Sequence, residues 1–560
     1  MSIKLPKHLV GVKFDELFSI EMNNFDVEML LPALFWLVRS SGKDRGGSRT
    51  DAKDIQRYVA ALSSHQNLTG FEGEDGYRLL DKWTRSSLIV TSAVGKQKRS
   101  EQIAYVRPLS FLAYKPSLPA QSSRLRQTHQ FLYYLLNRHL RVGGQDKGAS
   151  ARLFDALVRD TFAGGVELEE GMNKDGQYDG ATALDLEVLL QLYYLDGFDA
   201  PKESNKVNRE PPHPACYSAA LNLAQDVAGF LTVYARRIPT ATLSRYLIAL
   251  LNFELFIYTL RLMRASNALV IHGEKRTAFE SVTDSQSSLE LFIDCMQIRG
   301  SRSDQIAQAC VNRDFEEMES FLRSKLMLRT LHSYVSSNRR LKPLLEDASG
   351  GKYIVGLWDL RENEYIQASA RLDLQTVEDI FRGEDDNEEN IPAEIRAILK
   401  HPDMSELTAL VEILVVMQRK YAINNMAKWM ADTGGLRRGD GLLRGNTKGR
   451  RLWRYVMSDA LLETLVQLAV ISPEAQEDSG EQAYRREPRS ITLAAFLKFL
   501  HHRYGILIDT PPSFDQSTEA TAAAKDNFFA LKARLRQMGL FMDLSDDFNA
   551  QRIFPRSTKK

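Results

Sequence analysis

The chain is poor in the residues that announce chemistry. Three cysteines, Cys216, Cys295 and Cys310, are scattered through 560 residues. That number cannot build a disulfide framework, no C-x-x-C spacing occurs, and the pattern favours a reducing compartment. Ten histidines are likewise dispersed. His501 and His502 are adjacent in a helical stretch, so their side chains diverge by about 100° and do not share a metal. His213 and Cys216 in PPHPAC form one ligand pair with no second pair nearby. No G-x-S-x-G, H-E-x-x-H, G-x-G-x-x-G or P-loop sequence is present. The loop NKDGQYDG (173–180) puts Tyr178 where a calcium-binding EF-hand needs glycine. Glu167, Glu169, Glu170, Lys174 and Asp175 could be assembled into a nuclease-like set, as almost any long chain allows. No metal and no cofactor is expected, and the reading is non-catalytic.

Excess charge is also missing. Lys plus Arg number 73 and Asp plus Glu 72, a net charge of +1, so any attraction to a polyanion must be local. The N-terminal sequence MSIKLPKHLVGVKFDELF carries no apolar run of the kind a secretory signal uses. The most apolar stretch, 246–260, contains Asn252 and Glu254 between Arg245 and Arg261, which reads as too short and too polar to span a bilayer. The expectation is a cytoplasmic protein without membrane contact.

What is there is helical periodicity. Hydrophobic residues at 44% and charged residues at 26% are ordinary globular values, and 63.5 kDa implies several domains. Leu30, Leu31, Leu34, Leu37 and Val38 make one apolar face. Helices broken near Pro239 run from Leu221 to Leu269, with Thr240 or Thr242 as N-cap. Another starts near Asp403 or Ser405 and stops at Gly434-Gly435. Strands come in pairs: 88–94 with 103–114, 352–360 with 364–372, and 540–544 with 550–555, each flanking a polar turn. Breaks are expected at 115–123, 199–214 and the acidic 383–394. No fixed repeat is present. The divisions are 1–120, 121–345, 346–400 (a small hairpin plus acidic linker), 401–455 and 456–560.

The C-terminal hundred residues have an ordered grammar. Three amphipathic helices, DALLETLVQLAVI, ITLAAFLKFLHHRYG and NFFALKARLRQMG, end at Gly505 and Gly539 in the last two, and the hairpin 540–555 follows. This stretch resembles the winged-helix DNA-binding domains. Segments 26–39, 51–64 and 76–88 with the hairpin 88–114 resemble them less closely. The fold class expected is mainly α: a large central helical region between two winged-helix-like ends with small β-hairpin wings.

The resemblance implies that the third helix meets DNA and the wing touches the neighbouring backbone. The third C-terminal helix carries Lys525, Lys532, Arg534 and Arg536, and the tail adds Arg552, Arg556, Lys559 and Lys560. The N-terminal counterpart carries Arg78, Lys82 and Arg85, with Lys96, Lys98 and Arg99 in its hairpin turn. Trp83 and Phe528 are expected inward. The connections QNLTGFEGEDG and ILIDTPPSFDQST exceed a tight helix-turn-helix, and neither stripe has an Asn or Gln to read adenine.

One further segment is unusual in composition. LRRGDGLLRGNTKGRRLWRY (436–455) sets Arg437, Arg438, Arg444, Lys448, Arg450, Arg451 and Arg454 against one acid, Asp440. Gly439, Gly441, Gly445 and Gly449 could let backbone N–H groups approach phosphate, and arginine forks fit phosphate oxygens. A solvated loop docked on the protein's own acids is the bland alternative. The residues point to a non-catalytic, nucleic-acid-associated subunit, binding DNA or another nucleic acid, that works with other protein subunits. A bacterial multi-gene anti-phage defense system is one setting for such motif-poor helical proteins, although no residue carries that setting. A protein–protein scaffold and an enzyme with an unrecognised site are the alternatives.

Overall fold

The computed structural model describes residues 5–6, 8–42, 52–93, 101–106, 124–139, 153–164, 166–167, 177–178, 181, 210–235, 237–274, 279, 289–383, 388–446, 449–475, 487–542 and 551–556. Helices dominate them, as the periodicity predicts, and the strands are few and short. The N-terminal helices are α1 (Leu30–Arg39), α2 (Ala52–Ser63) and α3 (Gly73–Trp83), the last running into a π-helical turn (Thr84–Leu88). Strands β1 (Ile89–Ala93) and β2 (Glu101–Val106) pair antiparallel, giving the expected first hairpin.

The central body contains α4 (Thr128–His139), α5 (Leu153–Phe162), α6 (Tyr217–Tyr234), α7 (Thr240–Val270) and α8 (Arg302–Ser337). Two-residue strands β3 (Val166–Glu167) and β4 (Gln177–Tyr178) pair beside it. Helix α8 is the axis, packed against α7 and against later elements on its other sides. Pro239, with its fixed φ and no N–H to lose, occupies the cap of α7, so neither Thr240 nor Thr242 is the N-cap. Helix α7 is long and apolar enough to cross a membrane by length and composition, but 83% of its apolar window is buried inside the protein. A helix apolar on every side is a core helix when other helices enclose it. The same holds for α1, whose Leu30, Leu31, Leu34, Phe35, Trp36, Leu37 and Val38 are all buried. It packs on α4, whereas α2 packs on α3 and β2. The irregular segment before α1 is equally deep, with Phe18 among Phe131, Tyr258 and Trp429. The helical body therefore includes residues ahead of 121.

The expected hairpin over 352–372 is absent. Its two halves are helices α9 (Gly350–Asp359) and α10 (Glu364–Arg382), and Asn363 caps the second by accepting the Tyr365 N–H at 3.0 Å. The reason is spacing: Ile354, Leu357 and Trp358, then Ile366, Ala370, Val377 and Phe381, are the buried set. Those intervals of three, four and seven repeat with a helix, not with a strand. Helix α11 (Ala393–Leu399) follows, then α12 (Glu406–Thr433), which packs along α8. Ser405 caps α12 through the Thr408 N–H at 3.3 Å.

The C-terminal unit holds β6 (Leu443–Arg444) paired with β7 (Arg454–Tyr455), then α13 (Asp459–Ala469), β8 (Ile491–Thr492), α14 (Leu493–Tyr504), β9 (Ile506–Leu507), α15 (Thr518–Gln537), β10 (Phe541–Met542) and β11 (Arg552–Ile553). Ser458, Thr492 and Ser517 cap its three helices. Gly505 ends α14 in the left-handed conformation, φ 70°. The three helices and the closing hairpin stand as expected, and β8 adds a third strand in the order β10–β11–β8. The long link between α14 and α15 also has a use. Its strand β9 pairs in parallel with β5 (Leu291–Phe292) of the segment leading into α8.

Candidate nucleic-acid interface

The arginine- and glycine-rich segment is a folded hairpin rather than a loose loop. The carbonyl of Gly434 accepts N–H groups from both Leu442 and Leu443 at 2.8 Å. Leu443 pairs with Tyr455 and Arg444 with Arg454. Trp453 is buried against Phe315, and its indole N–H donates to the Asn446 carbonyl at 2.7 Å. Tyr455 donates to Asp314 at 2.5 Å inside the core. A cavity of about 10 Å³, lined by Phe256, Val311, Met318, Met430, Trp453 and Tyr455 among others, lies beneath. It is no larger than a water.

This packing reassigns two of the glycines. A Cβ on Gly441 would lie 2.5 Å from both the Gly434 oxygen and the Gly435 Cα, and one on Gly445 (φ 153°) would lie 2.6 Å from Trp453. Both are glycine because backbone or indole fills the space, not because a phosphate must enter. Gly439 alone of the four faces open space.

The arginines divide in the same way. Arg454 pairs with Asp304 at 2.6 Å, and both are largely buried. Arg438 pairs with Asp440 at 3.1 Å, and burial pulls its affinity for the proton below the ordinary arginine value. Arg444 donates to the Arg438 carbonyl at 2.8 Å. Arg450 donates to the Asn424 side chain of α12, and the Arg451 carbonyl accepts from Gln308 of α8. Arg437 and Arg451 project outward, and neither forms an ion pair among the described residues. Lys448 lies outside the described residues.

On α15 the inner face is locked, and the outer face carries cations. Asn527 accepts the Cys295 N–H at 2.6 Å and the Ser303 hydroxyl at 3.1 Å, and donates to the carbonyls of Ile293 and Ile508. Arg534 is also used internally, reaching the Met457 carbonyl at 2.8 Å and Asp459 at 2.5 Å. That contact ties α15 to the exit of the arginine hairpin. Lys525 and Arg536 are exposed. Lys532 lies over the rings of Phe528, Phe529 and Phe541 at about 6 Å. Phe528 and Trp83 are only part-buried. Arg552 donates to Ser490, and Arg556 pairs with Glu463 at 3.0 Å.

The stripe on α3 lies in the group where α2 packs on α3 and on β2, and Ile55, Tyr58, Leu62 and Leu80 of that group join the main core. Arg78 meets Glu74 at 3.4 Å, Arg85 meets Asp81 at 3.0 Å, and Lys82 is exposed. Lys96, Lys98, Arg99, Glu169, Glu170, Lys174, Asp175, Lys559 and Lys560 lie outside the described residues. Sequence reasoning gave α12 only its bounds and did not single out its exposed Arg419, Lys420, Tyr421 and Lys428. The available signal is that α12 has no acid between Ile413 and Ala431.

For chemistry, the described residues offer little. All three cysteines are buried, and burial pushes each thiol up to about 12, far from a reactive thiolate. Among the described residues, no group of three or more His, Cys, Asp or Glu is placed to hold a metal ion. The deepest charged cluster joins Arg503 to Asp226 at 2.8 Å and to Glu474 at 2.7 Å, with the Tyr504 hydroxyl on Asp226. It welds α14 to α6.

Residues 7–557 match the family described as Methylation-associated defense system protein MAD7, and the chain belongs to that family. No curated protein and no solved structure matches it.

Proposed function

We propose that this member of a methylation-associated defense family is a non-catalytic, nucleic-acid-associated subunit, cytoplasmic, acting beside other protein components of its system. One observation carries the reading: a hairpin made rigid by Trp453 and Tyr455 holds Arg451 outward with no ion pair among the described residues, and Arg437 of the same segment is exposed, with Asp432 near enough to feel its charge. A preorganised cation costs little further ordering when a phosphate arrives. The C-terminal unit supports it. Apart from β9, which pairs with β5 outside the unit, its order of helix, strand, helix, helix, strand, strand and its sheet order β10–β11–β8 resemble those of a winged helix. The exposed Lys525 and Arg536, with Lys532 on the same outer face of α15, are the cations that helix would offer a groove.

The division of the arginines narrows the expected contacts. Arg438, Arg454 and Arg534 serve ion pairs inside the protein, and the proposed phosphate ligands are Arg437, Arg451, Lys525, Lys532 and Arg536, chosen for their place on the hairpin and on the outer face of α15. The test is binding of labelled nucleic acid by the full chain over a salt series. Affinity should fall by a log–log slope of about −0.9 for each duplex phosphate neutralised, or about −0.7 for single strands. Absence of binding at about 50 mM salt, where counterion release favours association, overturns the reading.

A scaffold reading draws on a different observation. Phe529 on α15 and Met542 on β10 are more than half exposed, as an apolar contact for a protein partner would be. Phe529→Ala would then abolish assembly with another subunit while leaving nucleic-acid affinity unchanged.

A further inference from the structure

Two acid-free segments meet on one surface. With 72 acids in 560 residues, an Asp or Glu falls about every eight positions. Yet α12 has none from Ile413 to Ala431, and the arginine hairpin has none from Gly441 to Ser458. The Arg450 guanidinium on Asn424 joins them, and Gln308 fixes the Arg451 carbonyl. Asn424 sits between Lys420 and Lys428, four residues from each, so all three share one helix stripe. The 3-10 turn Arg450–Leu452 therefore lands in the middle of a basic stripe and adds Arg451 to it.

Arg419, Lys420, Lys428 and Arg451 are exposed, and none forms an ion pair among the described residues. Like charges held together without acids repel, and a surface kept for solubility would intersperse both signs. The complement of such a surface is a polyanion. Beside these cations Tyr421 is 68% exposed and Leu452 61% exposed. Tyr421 stands seven residues from Lys428, which puts its ring on the same side of a rigid helix. An exposed ring offers a base a face to stack on, and duplex bases already have both faces covered by their neighbours. Only an unpaired base can use it.

We infer that this surface binds single-stranded nucleic acid, with phosphates on Arg419, Lys420, Lys428 and Arg451 and an unpaired base stacked on Tyr421. The inference rests on the proposed nucleic-acid role and specifies its substrate class. It places the strand on α12 and the 3-10 turn, not on the third helix of the C-terminal unit.

The test compares labelled single-stranded DNA, single-stranded RNA and a duplex of the same sequence on the full chain. The single strands should bind more tightly than the duplex. Tyr421→Ala should weaken single-strand binding about tenfold, the scale of one lost stacking contact, without changing the salt slope. Tyr421→Phe should restore it, since the ring and not the hydroxyl is used. Lys420→Ala and Lys428→Ala should instead flatten the slope by about 0.7 each. All three positions are exposed, and a melting curve confirms that each variant folds. Tighter duplex binding, or unchanged single-strand affinity in Tyr421→Ala, overturns this inference and leaves the broader reading standing. No binding to any of the three probes overturns both.

Discussion

The side-chain oxygen of Asn527 accepts the backbone N–H of Cys295 at 2.6 Å across 232 positions of sequence. The same amide donates to the carbonyls of Ile293 and Ile508, the residues that follow β5 and β9 at the C-terminal end of their parallel pairing. A single buried asparagine thus closes the joint between α15 and the strand pair that enters α8.

Replacing Asn527 with Leu should be costly out of proportion to its size. The Ile293 and Ile508 carbonyls and the Cys295 N–H would each lose this partner in a dry setting. At about 1–3 kcal/mol for a buried polar group left unpaired, urea unfolding should show a loss of at least 2 kcal/mol. A change within about 0.5 kcal/mol, the range of an ordinary surface substitution, would mean water replaces the amide.

Trp429 is fully buried, touches the rings of Phe18 and Phe25, and donates its indole N–H to Thr259 at 3.2 Å. Trp429→Ala should cost about 3–5 kcal/mol in thermal or denaturant unfolding. Trp83→Ala and Phe528→Ala, at part-buried positions, should cost less than that range.

The contrast between those positions shows what the sequence made legible. Helix starts and stops rest on local rules, so Ser405, Gly505 and Gly539 mark their boundaries without knowledge of the fold. The three C-terminal helices and their hairpin were readable for that reason. Strands β5, β8 and β9 were not, because two-residue strands carry no periodicity and their partners lie far along the chain. In 352–372 the polar residues at 361–363 read as a turn, whereas the apolar residues on either side recur at the three- and four-residue spacing of a helix. In the arginine hairpin, composition identified the cations but could not separate Arg454, which has Asp304, from Arg451, which has no ion pair among the described residues.

Stability should carry a pH signature from Glu254. Burial first, then the neighbouring Asp226, raises its carboxyl well above the ordinary glutamate value. The folded chain therefore holds a proton that the unfolded chain releases near pH 4.3. Stability from this group is complete below that pH and declines as pH rises toward the folded value, by up to about 1.4 kcal/mol per unit. Glu254→Gln removes the decline. Urea midpoints for the variant should gain on the parent as pH rises above the ordinary glutamate value of about 4.3, and parallel pH profiles would refute the assignment.

Arg503 tests the opposite case, a buried charge that is paired. It holds Asp226 at 2.8 Å with 6% and 0% of the two side chains exposed. Arg503→Met should destabilise by about 3–5 kcal/mol, because removing one partner leaves the other charge buried. Combining it with Asp226→Asn should recover part of the loss.

The final prediction separates structural from surface arginines within one hairpin. Arg454 is largely buried on Asp304 at 2.6 Å, whereas Arg451 is exposed and held only by its carbonyl. Arg454→Ala strands Asp304 and should lower the melting temperature, with any loss of nucleic-acid affinity following from the damaged hairpin. Arg451→Ala leaves every backbone contact in place, so melting should stay within the small range of surface substitutions. Its effect should appear only in binding, as a weaker affinity and a salt slope flatter by one contact. Measuring melting and salt-dependent binding for both variants decides the assignment. If Arg451→Ala destabilises as much as Arg454→Ala, both arginines are structural, and the exposed basic surface loses its principal member in this hairpin.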